Sequence, residues 1–132
     1  MVLQNLNVKS KDNILNELLN LAIEYIRKPK EFDRQIALEK IWDAFERIKT
    51  FYDKNKKTSA QTLVTKISEG TTDFDSLLET EFITLTNIGN KYQIRHFETD
   101  IIKINSTKQV DYLFYRMIAI IDLCMDKVNN EG

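Results

Sequence analysis

The side chains best suited to chemistry are gathered in one stretch of the sequence, residues 87–100. It holds the only histidine, His96, together with four side chains that can contact a phosphate: Asn90, Lys91, Tyr92 and Arg95. A histidine titrates near neutral pH and can take up or release a proton. A cation and amide donors stabilise negative charge that develops on a phosphate. Metal-independent RNA cleavage, in which a ribose 2′-OH attacks the adjacent phosphate, needs little more than this set.

A structural interpretation of the same stretch is equally open. His96 can cap helix carbonyls through a ring nitrogen, and Arg95 can pair with a neighbouring carboxylate. Asn90 follows Gly89 and suits a turn conformation. A metal site is less favoured, because nothing nearby completes a zinc ligand set around His96. We therefore predict neither a metal nor a cofactor.

More charged residues lie on the second predicted helix. Asp43, Glu46 and Arg47 share its polar face, which is ordinarily solvated. The functional alternative is that they border a site formed with residues 87–100, where Arg47 would bind substrate beside Asn90, Lys91 and Tyr92. A predicted loop follows with three lysines, which are either solvated or form a patch that attracts phosphate: Lys54, Lys56 and Lys57.

Five helices are predicted to position these residues. Apolar side chains at three-four spacing place the helices at about 11–27, 31–53, 59–69, 73–92 and 108–128. Their expected first turns are marked by Ser10, the Thr58-x-x-Gln61 pattern, Thr71 or Thr72, and Ser106 or its neighbours. The last helix is apolar over most of its girth, so it is either central to a bundle or part of a dimer interface.

Length and composition favour a single all-α domain over residues 1–132, an antiparallel helical bundle of four to five helices with a flexible arm at residues 1–9. Three glycines and one proline are too few for a turn-rich β-sandwich. The net charge of -1 gives no overall attraction to nucleic acid, so RNA binding needs a local patch. A lone Cys124 and the lack of a membrane-length apolar run fit a cytoplasmic protein, or part of a longer one.

Three segments carry a resemblance to a known family: IALEKIWDAFERIKT (36–50), IRHFE (94–98) and YLFYR (112–116). They resemble the C-terminal helical domain of abortive-infection-type proteins, which is similar to the HEPN superfamily of small helical bundles. The resemblance covers roughly residues 31–128. It implies an all-α and usually dimeric domain of bacterial antiphage and toxin–antitoxin systems. Many HEPN members are metal-independent ribonucleases and others are non-catalytic. The family's motif arginine falls at positions 89–91, which here hold Gly89, Asn90 and Lys91.

Three functions remain open at this point. In the first, the domain cleaves RNA, with His96 as the proton-transfer residue and Arg95 as the transition-state cation. A homodimer would bring a second histidine, so that one acts as base and the other as acid. In the second, the domain is a non-catalytic dimerisation or regulatory module of a larger antiviral protein. In the third, it senses a nucleotide or small ligand in a pocket between the second and fifth helices.

Overall fold

The computed structural model describes residues 6–92, 104 and 106–131, and within these ranges the protein is helical with no strand. The helices are α1 (Asn13–Ile26), α2 (Glu31–Ile48), α3 (Lys56–Ser68), α4 (Thr72–Tyr92) and α5 (Thr107–Val128). The prediction of an all-α protein with five helices is confirmed. Its assignment to a HEPN-like family stays a prediction.

Several helix ends differ from the predicted ones. Asp12, and not Ser10, caps α1, since its carboxylate accepts hydrogen bonds from the backbone N–H groups of Ile14 and Leu15. The Ser10 hydroxyl donates instead to the side-chain oxygen of Asn16, at 2.7 Å. Asn55 caps α3, which therefore begins earlier than the Thr58 pattern suggested. Ser106 caps α5 as expected.

The second helix ends at Ile48, several residues before the predicted end near Asp53. The Thr50 hydroxyl donates to the carbonyl oxygen of Arg47 at 2.7 Å and competes with the helical backbone bond. The backbone N–H of Tyr52 donates to the hydroxyl of Ser59 at 2.9 Å, at the start of α3. Side chains thus take over the backbone groups that would have continued the helix.

The connected pairs α1/α2 and α3/α4 are antiparallel, as their short loops predict. At one end of the first pair, Arg47 near the end of α2 contacts Asp12 before the start of α1. At the other end, Arg34 donates to the carbonyl oxygens of Ile26 and Lys28, both at 3.2 Å. Arg34 therefore satisfies carbonyls that α1 leaves without helical partners.

The pair α2/α5 runs in the same direction, which departs from the predicted antiparallel bundle. Near the start of both helices, Arg34 forms two 2.7 Å bonds to the carboxylate of Asp111. Beyond the ends of both helices, the Tyr52 hydroxyl lies 3.5 Å from the Glu131 carboxylate. Two whole helices separate α2 from α5 in the chain, so loop length does not set the direction of this pair.

The last helix is central to the bundle, which explains its apolar girth. Ten of its residues are buried, and Cys124 and Val128 near its end are wholly inaccessible. The exposed side chains follow a narrow stripe that includes Tyr112, Tyr115 and Ala119. The predicted explanations for its apolar composition were a central place in the bundle or a dimer interface. Burial within one copy of the chain is sufficient.

Part of the predicted flexible arm is attached to the end of α5. The Asn129 side chain donates to the carbonyl of Asn7 at 2.8 Å and accepts from the backbone N–H of Lys9 at 3.0 Å. Leu6 and Val8 pack against the core with half-buried side chains. Residues 6–9 therefore belong to the folded domain.

Candidate functional site

The predicted site falls at the end of α4 and just beyond it. Asn90, Lys91 and Tyr92 form the last turn of this helix. Arg95 and His96 lie outside the described residues, so their proposed roles stay predictions. Among the three placed residues, Asn90 and Lys91 are exposed, whereas Tyr92 is half-buried against the core. The amide and the ammonium groups are thus available to a ligand, and Tyr92 also anchors the helix.

Gly89 and Asn90 do not form the turn that their sequence suggested, because both lie inside α4. Gly89 is buried under the ring of Trp42 from α2. A Cβ atom at position 89 would lie 2.0 Å from two ring carbons of Trp42, far inside van der Waals contact. This close approach explains why position 89 holds a glycine. No side chain fits there while Trp42 keeps its place.

Arg47 is not brought to the end of α4. Its Nε donates to Asp12 at 2.8 Å, which sets it against the start of α1. Trp42, Phe45 and Lys49, on another face of α2 and at its end, contact α4. Burial alone would raise the pKa of Asp12, but the hydrogen bonds from Arg47 and from the helix backbone outweigh it and lower that pKa. The geometry of Arg47 is that of a residue that holds α1 in place.

A buried lysine near the end of α2 was missed in the sequence. Lys49 is 4% exposed, and its ammonium lies 2.5 Å from the carboxylate of Glu46 and 2.8 Å from the hydroxyl of Thr86 on α4. It also lies 4.6 Å from the ring centre of Phe45. The signal was present, because residues 42, 45 and 49 follow the three-four spacing of a buried face. From the sequence alone, a charged residue at such a position is predicted to be exposed to solvent, because its buried partner cannot be identified.

Glu46 joins two lysines, since it pairs with Lys49 on its own helix and with Lys56 at the start of α3. Burial alone would raise the pKa of Glu46, but the hydrogen bonds from both lysines outweigh it and lower that pKa. Burial lowers the pKa of Lys49, and the carboxylate beside it offsets part of that effect. Glu46 is therefore ionised at neutral pH and is the counter-ion of Lys49.

This cluster lines one end of an open groove between α3 and α4. We call this end the lysine pocket, an open and mostly apolar cavity of about 410 Å³ whose polar side chains are Lys49, Lys56, Lys57, Thr86 and Asn87. Ala60, Phe82 and Ile83 form an apolar floor shared with the rest of the groove. The other end carries the carboxylates of Asp75 and Glu79. The groove is thus basic at one end and acidic at the other.

Three other features bear on function: a metal site, a membrane-spanning helix and a ligand pocket between α2 and α5. Within the described ranges, no three His, Cys, Asp or Glu side chains are arranged to hold a metal ion. None of the helices described is long and apolar enough to cross a membrane. Helices α2 and α5, between which a ligand sensor would have its pocket, pack directly and are joined by Arg34 and Asp111.

Comparison with known proteins adds no relative, because no family model, curated protein or solved structure matches this chain. The family assignment therefore rests on the resemblance of the three sequence segments alone.

Proposed function

We propose that this chain is a HEPN-like domain of a bacterial antiphage or stress system and acts on RNA in the cytoplasm as a metal-independent endoribonuclease. The observation that carries the proposal is the exposure of Asn90 and Lys91 on the last turn of α4. Three residues separate these two side chains from Arg95 and His96 in the sequence, and together the four supply a proton carrier, two cations and an amide.

The proposed reaction is an internal transfer at phosphorus. A general base removes the proton of a ribose 2′-OH, and the oxygen attacks the adjacent phosphate. The bond to the 5′ oxygen breaks, and a general acid protonates that leaving group. The products are a 2′,3′-cyclic phosphate and a 5′-hydroxyl. Arg95 and Lys91 would stabilise the charge on the phosphate, with Asn90 as a hydrogen-bond donor.

One histidine per chain suggests a site built from two copies. His96 of one chain would act as the base and His96 of the second as the acid. A homodimer is therefore part of the proposal. Arg47, predicted to bind substrate, already donates to Asp12, so its proposed part in binding is secondary to its structural one.

The test uses single-stranded RNA in EDTA. We expect the wild-type protein to cleave it to ends with a 2′,3′-cyclic phosphate. We expect His96→Ala to lower the rate by about 100-fold or more, as loss of a general acid–base group does. Lys30→Ala, a change of an exposed residue at the start of α2, is the control and should cleave normally. An RNA with a 2′-deoxy sugar at the cleaved position should resist. Equal cleavage by wild type and His96→Ala, or none by either, would overturn the proposal.

A second candidate is the non-catalytic dimerisation or regulatory module. It is favoured by large apolar side chains that stay exposed on α4 and α5: Phe74, Leu77, Tyr112 and Tyr115. Light scattering over a range of protein concentrations, combined with the RNA assay, distinguishes the ribonuclease from the non-catalytic module. A dimer that leaves RNA intact supports the module. A monomer at every concentration counts against both the module and the two-copy site.

A further inference from the structure

The lysine pocket concentrates positive charge in a protein whose net charge is -1. Two of its three lysines, Lys49 and Lys56, share one carboxylate, Glu46, so the three lysines exceed their paired carboxylates. Lys49 is buried and fully engaged with Glu46 and Thr86. Lys56 shares Glu46 but keeps 49% of its side chain exposed. Lys57 is exposed and has no ion-pair partner within the described ranges.

Helix stability does not explain the two exposed lysines. Lys56 and Lys57 are the first two residues of α3, where the positive end of the helix dipole disfavours a cation. Helices α2 and α4 carry two acidic residues each in their first turns, whereas α1, α3 and α5 carry none. The two lysines therefore do not stabilise the start of α3. A ligand with negative charge would relieve this conflict.

The same positive surface continues along α4 toward the candidate site. Asn87 lines the pocket, and Asn90 and Lys91 follow it at spacings of three and four residues, which puts all three on one face of the helix. All three side chains are exposed. Hydrogen-bond donors and cations thus extend without interruption from the start of α3 to the end of α4.

We propose that single-stranded RNA lies along this surface, with backbone phosphates held by Lys56 and Lys57 in the lysine pocket and by Lys91 at the end of α4. The inference rests on the proposed function and names how that site holds its substrate. Lys49 acts as a positioning residue, because it fixes Glu46 and Thr86 rather than contacting RNA.

Two features of the groove indicate which way the RNA backbone runs and favour a single strand over a duplex. Asp75 and Glu79, near the start of α4, repel phosphate, so the RNA backbone runs from the lysine pocket toward the end of α4 and not along the groove to its acidic end. The apolar floor includes Ile83, which is 57% exposed. An unpaired base can cover this side chain, whereas in a duplex the bases are stacked and paired with each other. The surface therefore fits a single strand.

The experiment measures binding of a labelled single-stranded RNA by fluorescence anisotropy at several salt concentrations, in EDTA. All proteins carry His96→Ala so that the RNA stays intact. Into this background we introduce Lys57→Ala with Lys91→Ala, and as a matched control Lys9→Ala with Lys30→Ala. All four lysines are exposed, and both pairs change the net charge equally.

The test pair should bind more weakly, and its plot of log affinity against log salt should be shallower by about 1.4, since each phosphate contact to a single strand contributes about 0.7. The control pair should keep the slope of the parent. Urea unfolding should show the test pair about as stable as the parent, because Lys57→Ala removes a cation from the start of α3 and thereby offsets the loss of Lys91 from the last turn of α4.

The outcomes separate this inference from the proposed function. If the protein with His96 cleaves RNA but the test pair binds like the control, the lysine path is wrong and the function stands. If RNA binding depends on the test pair but the protein with His96 never cleaves, the path stands and the ribonuclease proposal fails. If no variant binds RNA, both are overturned.

Discussion

Trp42 and Gly89 form a tight contact between α2 and α4. The ring of Trp42 lies directly on the backbone of α4 and is 5% exposed. Phe45, one turn later on α2, stacks on Phe82 of α4 with ring centres 5.5 Å apart. These two aromatic contacts fix how α4 crosses α2. They also set the position of Asn90 and Lys91, which follow Gly89 directly.

We predict that Gly89→Ala destabilises the protein by about 2 kcal/mol. The methyl group overlaps the Trp42 ring, which costs about 3 kcal/mol, and alanine returns about 1 kcal/mol of helix propensity. Urea unfolding of Gly89→Ala in the wild-type protein and in Trp42→Leu measures the coupling between positions 42 and 89. In Trp42→Leu, where the side chain at position 42 is smaller, the alanine should be tolerated. An equal loss in both backgrounds would show that Trp42 is not the obstacle.

Among the helices, α1 depends on a charged contact at its start. Asp12 caps the helix and accepts from Arg47 on α2, so one carboxylate serves both the helix and its packing. The pKa of Asp12 lies below its usual 3.8, since these hydrogen bonds outweigh the effect of burial. A carboxylate whose pKa is lowered by folding stabilises the folded state above its unfolded pKa. That contribution disappears as the pH falls through the folded pKa.

We predict that Asp12→Asn lowers the free energy of unfolding by about 0.5–1 kcal/mol at neutral pH. Asparagine caps a helix as well as aspartate does, so the loss reports the partly exposed pair with Arg47. Urea unfolding at neutral pH and at a series of pH values below 3.8 makes the comparison, and the difference should shrink below 3.8 and vanish once the pH is below the lowered folded pKa of Asp12. Glu17→Gln, on the exposed face of α1, should show no such trend. A difference that persists in acid would contradict the assignment.

At the scale of the whole molecule, α5 holds the helices together. It packs against α2 and α3, and its ten buried residues reach the core from several sides. Cys124 lies in this helix with no accessible surface, and burial raises the pKa of its thiol. A thiol that is both buried and protonated is inert until the surrounding structure opens.

We predict that Cys124 reacts with a thiol reagent only through global unfolding. Its labelling rate should follow the free energy of unfolding, so Gly89→Ala should accelerate it by roughly 30-fold, the equivalent of about 2 kcal/mol. Ala119→Cys, on the exposed stripe of the same helix, adds a thiol that should react at once. Rapid labelling of Cys124 in the wild type would show that α5 is not central.

The sequence by itself determined the number and approximate limits of the helices and a cap for the last helix at Ser106 or its neighbours. These features follow from local periodicity and capping chemistry, which a chain carries within a few turns of helix. It also identified the polar residues at the end of α4, because they depart from that periodicity.

Only the tertiary structure decided which side chains meet. In the folded protein, Arg47 pairs with Asp12 and lies away from Asn90 and Lys91. Lys49 is buried beside Glu46. The tertiary structure also set α2 and α5 in the same direction. Each of these depends on residues far apart in the chain, where no spacing in the sequence reports distance. Lys91 at the end of α4 and Lys56 and Lys57 at the start of α3 are exposed, and the proposed RNA path depends on these three lysines.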